Sequence, residues 1–199
     1  MNMAMIINKK ITVEKAPKED IQSKDEIKTI VEEKINEEPI NLKDNTDIEK
    51  AEASKLKEEG NELFKKQEYA QSIEKYEKAI KLNEKDVLLW MNKASALIQL
   101  QKFKEAIEII VVSIKIAQQL SSDDNIFHKC YSRMGNAYYK MGDYTKAIKS
   151  FEMATKYKND PETLEKIESA RIELLKKEKN QDEKEMKNNI QDNEESKRG

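Results

Sequence analysis

Residues 57–80 read KEEGNELFKKQEYAQSIEKYEKAI, and residues 132–155 read SRMGNAYYKMGDYTKAIKSFEMAT. Laid Gly60 on Gly135, the two stretches agree in where small, aromatic and charged residues fall. A third stretch, MNKASALIQLQKFKEAIEIIVVSI (91–114), joins them with Ala94 at the glycine position. Gly60 to Ala94 is a step of 34 residues, a period that marks an array of helical hairpins. Ala94 to Gly135 is 41, so the third copy is preceded by an insertion, centred on QQLSSDDN (118–125).

The aligned positions alternate in size. Gly60, Ala94 and Gly135 are small where the first helix (A) of each hairpin crosses the second (B). Ser72, Ala106 and Ala147 are small on B, and Ala79, Ser113 and Ala154 repeat the theme at its end. Tyr69, Phe103 and Tyr144 open each B helix, and Tyr76, Ile110 and Phe151 sit in its middle. Small against large at fixed offsets lets antiparallel helices approach without voids. The pattern predicts helices over roughly 51–66, 69–82, 87–100, 103–120, 124–140 and 144–157. Ser122, Asp123 and Asp124 are candidate caps for the fifth. Pro161 suits the first turn of a further helix, whose Leu164, Ile167, Ala170, Ile172 and Leu175 predict a helix capping the open end of the stack. The three copies resemble the tetratricopeptide repeat (TPR). The expected fold is therefore all-α: a TPR superhelix of three helix-turn-helix repeats, at about 53–86, 87–127 and 128–161, with a capping helix over 161–178.

The flanks read differently. Hydrophobic residues make up 37% of the 199-residue chain and charged residues 38%, which is low and high for a wholly globular chain. Residues 1–50 contain no Phe, Tyr or Trp, so they offer little apolar surface to offset the entropy of ordering. They are expected to form a flexible charged extension, with at most a transient helix over Ile21–Ile35, where Ile27, Ile30, Val31 and Ile35 fall at helical spacing. The tail 179–199 is expected to be disordered too.

Several function classes are disfavoured. A net charge of −2, from 37 basic and 39 acidic residues, gives no global drive toward nucleic acid or an anionic membrane. The N-terminal apolar stretch is shorter than a secretory core, and no run approaches a bilayer span. A cytoplasmic location is expected. Cys130 and His128 are single residues of their kinds, too few for a zinc site or an intrachain disulfide. No cofactor and no metal are expected. Lys129 beside Cys130 could lower the thiol's pKa, but no partner stands at a spacing that would make a catalytic thiol. Tyrosines and Trp90 read as core, and Glu58 and Glu59 as solvated surface. No residue is assigned a catalytic role.

In a stack of this kind the A helices line a concave groove. Lys57 and Asn61 are four apart and share a face, as do Lys129 and Arg133, and Asn92 lies on the A helix between them. Lysine supplies charged donors, arginine a rigid planar fork, and asparagine an amide donor. Several such donors held in place suit a peptide ending in a carboxylate and carrying acidic side chains. Arg133 is one of three arginines in the chain, so its place in this set is informative.

The set Lys57, Asn61, Asn92, Lys129 and Arg133 resembles the dicarboxylate clamp of co-chaperone TPR domains, which bind the EEVD ending of heat-shock proteins 70 and 90. The insertion and the segment 153–179 resemble the middle TPR domain of the Hsp70–Hsp90 organising protein. The resemblance implies a co-chaperone or adaptor that is not an enzyme, with the MEEVD tail of heat-shock protein 90 favoured as partner over heat-shock protein 70. It further implies that Lys57, Asn61, Asn92 and Lys129 hold the terminal aspartate. Arg133 would then meet the upstream acids and Asn136 would add a polar contact, while Phe64 and Gln99 line the groove. The alternative is a generic TPR scaffold that binds an internal segment of an unrelated protein. A need for a free C-terminal carboxylate separates the two.

Overall fold

The computed structural model describes Val31 and residues 39–196, and the side chains within them except for residue 185 and residues from 187 onward. Among residues 39–196 seven helices follow one another: α1 (Asp47–Lys65), α2 (Tyr69–Leu82), α3 (Val87–Gln99), α4 (Phe103–Gln119), α5 (Asp124–Met141), α6 (Tyr144–Tyr157) and α7 (Pro161–Ser196). No strand occurs among the described residues. The pairs α1/α2, α3/α4 and α5/α6 pack as hairpins, and each hairpin packs on the next. The A helices also touch one another, α1 with α3 and α3 with α5. They therefore form the inner wall of the stack.

The size alternation becomes contact geometry. A Cβ on Gly60 would stand 2.6 Å from Tyr76 Cε1, and one on Gly135 would stand 2.5 Å from Phe151 Cδ1. Only hydrogen fits there, so α1 and α5 each lie directly on an aromatic ring of the B helix that follows. Ala79, Ala94, Ala106, Ala147 and Ala154 are fully buried, as are Ser72 and Ser113. The two serine hydroxyls donate to the carbonyls of Tyr69 and Ile109 (2.8 Å each), which satisfies them inside the helix.

The turns repeat as well. Gln67, Gln101 and Gly142, one after each A helix, have φ of 64°, 60° and 76°. In each turn the next N–H reaches back five residues: Glu68 to Leu63, Lys102 to Leu97 and Asp143 to Tyr138, at 2.9–3.0 Å. This left-handed closure absorbs the orphan carbonyls of the helix end. Only the third turn uses glycine.

Starts are capped. Thr46 and Glu49 form a reciprocal capping box at α1, which ties down the two exposed N–H groups. The insertion lengthens α4 to 17 residues and α5 to 18, and of the three candidate caps it is Asp123 that accepts Ile126 N–H at 3.0 Å.

The flanks add to the fold. Val31 is buried within the main core cluster, and Ile40 and Leu42 pack against it. The segment expected as a flexible extension thus contributes branched apolar side chains to the core. The rest of the Ile21–Ile35 stretch lies outside the described residues. At the other end, the capping helix expected over 161–178 buries Thr163, Ile167 and Ala170 but runs on to Ser196. No Pro or Gly interrupts 162–196, and Lys176 pairs with Glu173 at 2.7 Å. The tail expected as disordered is therefore helical over its described residues, 179–196, where no breaker stands.

Candidate peptide-binding groove

The A helices bring separate stretches of sequence to one surface. On α1, Lys57, Asn61 and Phe64 recur at helical spacing. Asn92, Ser95 and Gln99 do so on α3, and Lys129, Arg133 and Asn136 on α5. Because α1, α3 and α5 touch in order, the three rows lie side by side.

Two adjoining cavities occupy this wall. The smaller, about 290 Å³, is lined by Asn61, Phe64, Asn92 and Arg133 among others. The larger, about 530 Å³, is lined by Gln99, Lys129, Arg133 and Asn136, with Lys140 from α5 and Lys166 from α7. Ser95 and Arg133 belong to both. Lys57 lines neither. Its ammonium sits 3.1 Å from Asp86 Oδ2, with both side chains 22% exposed. Asp86 also caps α3 through Leu88 N–H, so its carboxylate is fixed where Lys57 can reach it.

The small cavity holds a network of amides. Asn61 Oδ1 accepts from Tyr76 Oη–H at 2.9 Å and from Asn92 Nδ2–H at 3.1 Å. Asn61 Nδ2 donates to Glu58 Oε2 at 3.3 Å. Burial pushes the Tyr76 phenol up to about 12, with the Glu58 charge adding to it, so the hydroxyl stays a donor. Arg133 Nε donates to Ser95 Oγ at 2.7 Å, and Ser95 Oγ–H donates in turn to Met91 O at 3.0 Å. That contact uses one of the five N–H donors of a guanidinium. Burial lowers the Arg133 pKa from its ordinary value, and a guanidinium remains charged regardless.

The large cavity is basic on balance. Lys129, Arg133, Lys140 and Lys166 face Asp160 and Glu162, and both carboxylates are engaged. Glu162 takes Lys166 at 2.6 Å. Asp160 accepts Thr163 N–H and Oγ–H at 3.1 and 2.8 Å and lies 3.1 Å from His128 Nε2. Partial burial pushes the Asp160 pKa up, yet these partners outweigh it and the net shift is downward. In a chain of net charge −2, the inner wall is thus a local cationic patch.

Cys130 corrects an expectation. It is fully buried, donates to Met91 Sδ at 3.4 Å, and burial pushes its thiol up to about 12. Desolvation in the core outweighs the one charge that lowers the thiol's pKa, that of Arg133, and Lys129 does not make it a thiolate. Among the described residues no cluster of three potential ligands could hold a metal, and no helix is long and apolar enough to cross a membrane.

Sequence reasoning missed Tyr76, Ser95, Glu58, Lys140 and Lys166 as groove residues. Ser95 could have been found three residues beyond Asn92. Lys166 carried no signal, since nothing in its spacing says where α7 lies.

Family models described as tetratricopeptide repeat match residues 87–119 and 128–160, and one described as TPR repeat matches 60–101. These are tetratricopeptide repeats. The TPR region is 34% identical over 128 residues to the protein STIP1 homolog of Dictyostelium discoideum, covering 64% of this chain and 22% of that protein. The chain therefore spans less than a quarter of that relative's length. Among solved structures, the TPR2AB-domain:pHSP90-complex of yeast Sti1 is 31% identical with a TM-score of 0.60, covering 63% of this chain and 48% of that one. The first TPR of Spaghetti (RPAP3), bound to HSP90 peptide SRMEEVD, is 26% identical with a TM-score of 0.55, covering 63% of this chain and 95% of that one. The TPR region is homologous to those of the Sti1 proteins.

Proposed function

We propose that this chain is a cytoplasmic co-chaperone or adaptor, without enzymatic activity, whose TPR groove binds the acidic C-terminal tail of a heat-shock chaperone. The observation that carries the reading is the meeting of amide and guanidinium donors from α1, α3 and α5 in one cavity, beside a second that is cationic. Asn61, Asn92 and Arg133 present donors there, and Lys129 and Asn136 continue them into the second. Similarity to TPR structures that hold an HSP90 peptide supports the same reading.

In this reading Asn61, Asn92 and Lys129 take the terminal aspartate, and Arg133 takes an upstream acid. Lys57 joins them by leaving Asp86. Charge-assisted bonds supply much of the affinity. Exchange of resident contacts for ligand contacts keeps it modest, on the order of micromolar, and salt weakens it. An MEEVD ending is preferred to IEEVD.

Calorimetric titration tests this with an acetylated MEEVD peptide, its C-terminally amidated twin and an IEEVD-ending peptide, against the native chain and Lys129→Ala. Micromolar binding that is lost on amidation and on mutation is expected. If no free-acid peptide binds, or the amide binds equally well, the carboxylate reading is wrong and a scaffold for internal segments remains.

A further inference from the structure

Tyr76 belongs to α2, not to an A helix, and is 1% exposed, its ring beneath Gly60. Its hydroxyl nevertheless reaches through to the groove and donates to Asn61 Oδ1 at 2.9 Å. Asn92 Nδ2 donates to the same oxygen at 3.1 Å. A carboxamide oxygen has two lone pairs, and both are taken.

The consequence is orientational. The two ends of an asparagine side chain are nearly alike in shape, and their bonds decide which way it faces. A flipped Asn61 would set its amide nitrogen against the Asn92 nitrogen, donor against donor. With the oxygen held from below by a phenol and from the side by Asn92, the Nδ2 donors are left to the groove. There they already meet a carboxylate, that of Glu58, at 3.3 Å. Burial keeps the phenol protonated, so it does not release the oxygen when an anion enters.

We propose that Tyr76 is a positioning residue for carboxylate recognition: its ring lies under Gly60, and its hydroxyl, at the floor of the small cavity, locks Asn61 with its amide donors turned into the groove. The inference rests on the carboxylate reading above. The same ring thus supports the A–B helix crossing and aligns the site, which couples the repeat's packing to its ligand chemistry. Phe151, the counterpart in the third repeat, lies under Gly135 in the same way but has no hydroxyl. The device is confined to the hairpin that carries Asn61.

Tyr76→Phe keeps the ring and removes one oxygen, and Asn61→Ala removes the group it aligns. The expected result is a Kd for the free-acid MEEVD peptide weakened roughly three- to tenfold by Tyr76→Phe, as for one hydrogen bond. Thermal unfolding should change little. Adding Tyr76→Phe to Asn61→Ala should bring no further loss. In 15N relaxation of the ligand-free protein, the Asn61 side-chain amide should be ordered in the native chain and more mobile in Tyr76→Phe. Unchanged Kd and unchanged amide mobility in Tyr76→Phe overturn the inference, as does a full additive loss in the double variant. If the native chain binds and Lys129→Ala abolishes binding while Tyr76→Phe is silent, only the positioning role falls. If the native chain does not bind at all, the carboxylate reading falls and the positioning role with it.

Discussion

At the scale of single residues, the close fits are the most exposed to change. Gly135 has no room for a methyl group, since the atoms it would meet are the ring carbons of Phe151 at 2.5 Å. Phe151 is itself fully buried and cannot swing away as a flexible chain end would. Gly135→Ala should therefore destabilise the fold by about 1–3 kcal/mol, the range for overpacking a filled core. Urea unfolding measures it, and a midpoint unchanged from the native chain would show that the A–B crossing can relax. The pair could not be named from sequence. The repeat said that position 135 is small and position 151 large, but the partner of each depends on how the hairpin closes.

Elements are governed by their ends. Gln101 adopts a left-handed φ of 60°, where a side chain beyond Cβ is strained and glycine is not. Gly142 occupies the equivalent turn of the third repeat. Gln101→Gly should stabilise by a few tenths to about 1 kcal/mol, the left-handed penalty less the entropy cost of glycine, read as a raised Tm. A lowered Tm would mean that unfolded-chain entropy outweighs the relieved strain. Asp160 begins α7 by accepting two hydrogen bonds from Thr163, and Asp160→Ala should remove about 1 kcal/mol at neutral pH. The native carboxyl is held below its ordinary value of 3.8. Its contribution is therefore present above the unfolded pKa and lost as pH falls through the folded one. The gap between native and variant in urea midpoint should narrow below about pH 3.8 and not above it. A gap that is constant with pH would place the effect in the backbone and not in the charge.

For the whole molecule, α7 has two parts with different duties. Its first turns cover the third repeat with Thr163, Ile167 and Ala170 and bring Lys166 to the groove. Its later turns are exposed where their side chains are described. A chain ending at residue 179 should keep the native Tm and peptide affinity, whereas one ending at residue 160 should lose several degrees of Tm by uncovering the core. Circular dichroism melts separate the two. Equal melts for both truncations would show that the third repeat closes the stack unaided.

The sequence by itself determined the helices and their pairing. Recurrence of small and large residues at a 34-residue step is a local signal, and each hairpin forms from residues close in the chain. Both ends of each of six helices therefore lie within a few residues of expectation. The same periodicity put Asn61, Asn92, Lys129 and Arg133 on A helices. The tertiary structure alone decided what these residues do with one another. Lys57 turned to Asp86, a residue 29 positions away. Tyr76 reached the groove from the B helix, Arg133 took Ser95, and Lys166 arrived from the capping helix. Val31 entered the core from a segment whose composition promised solvent. Hydrogen bonds and ion pairs between helices depend on distances set by packing, and a one-dimensional pattern carries the period of a repeat but not the gap between two of its members.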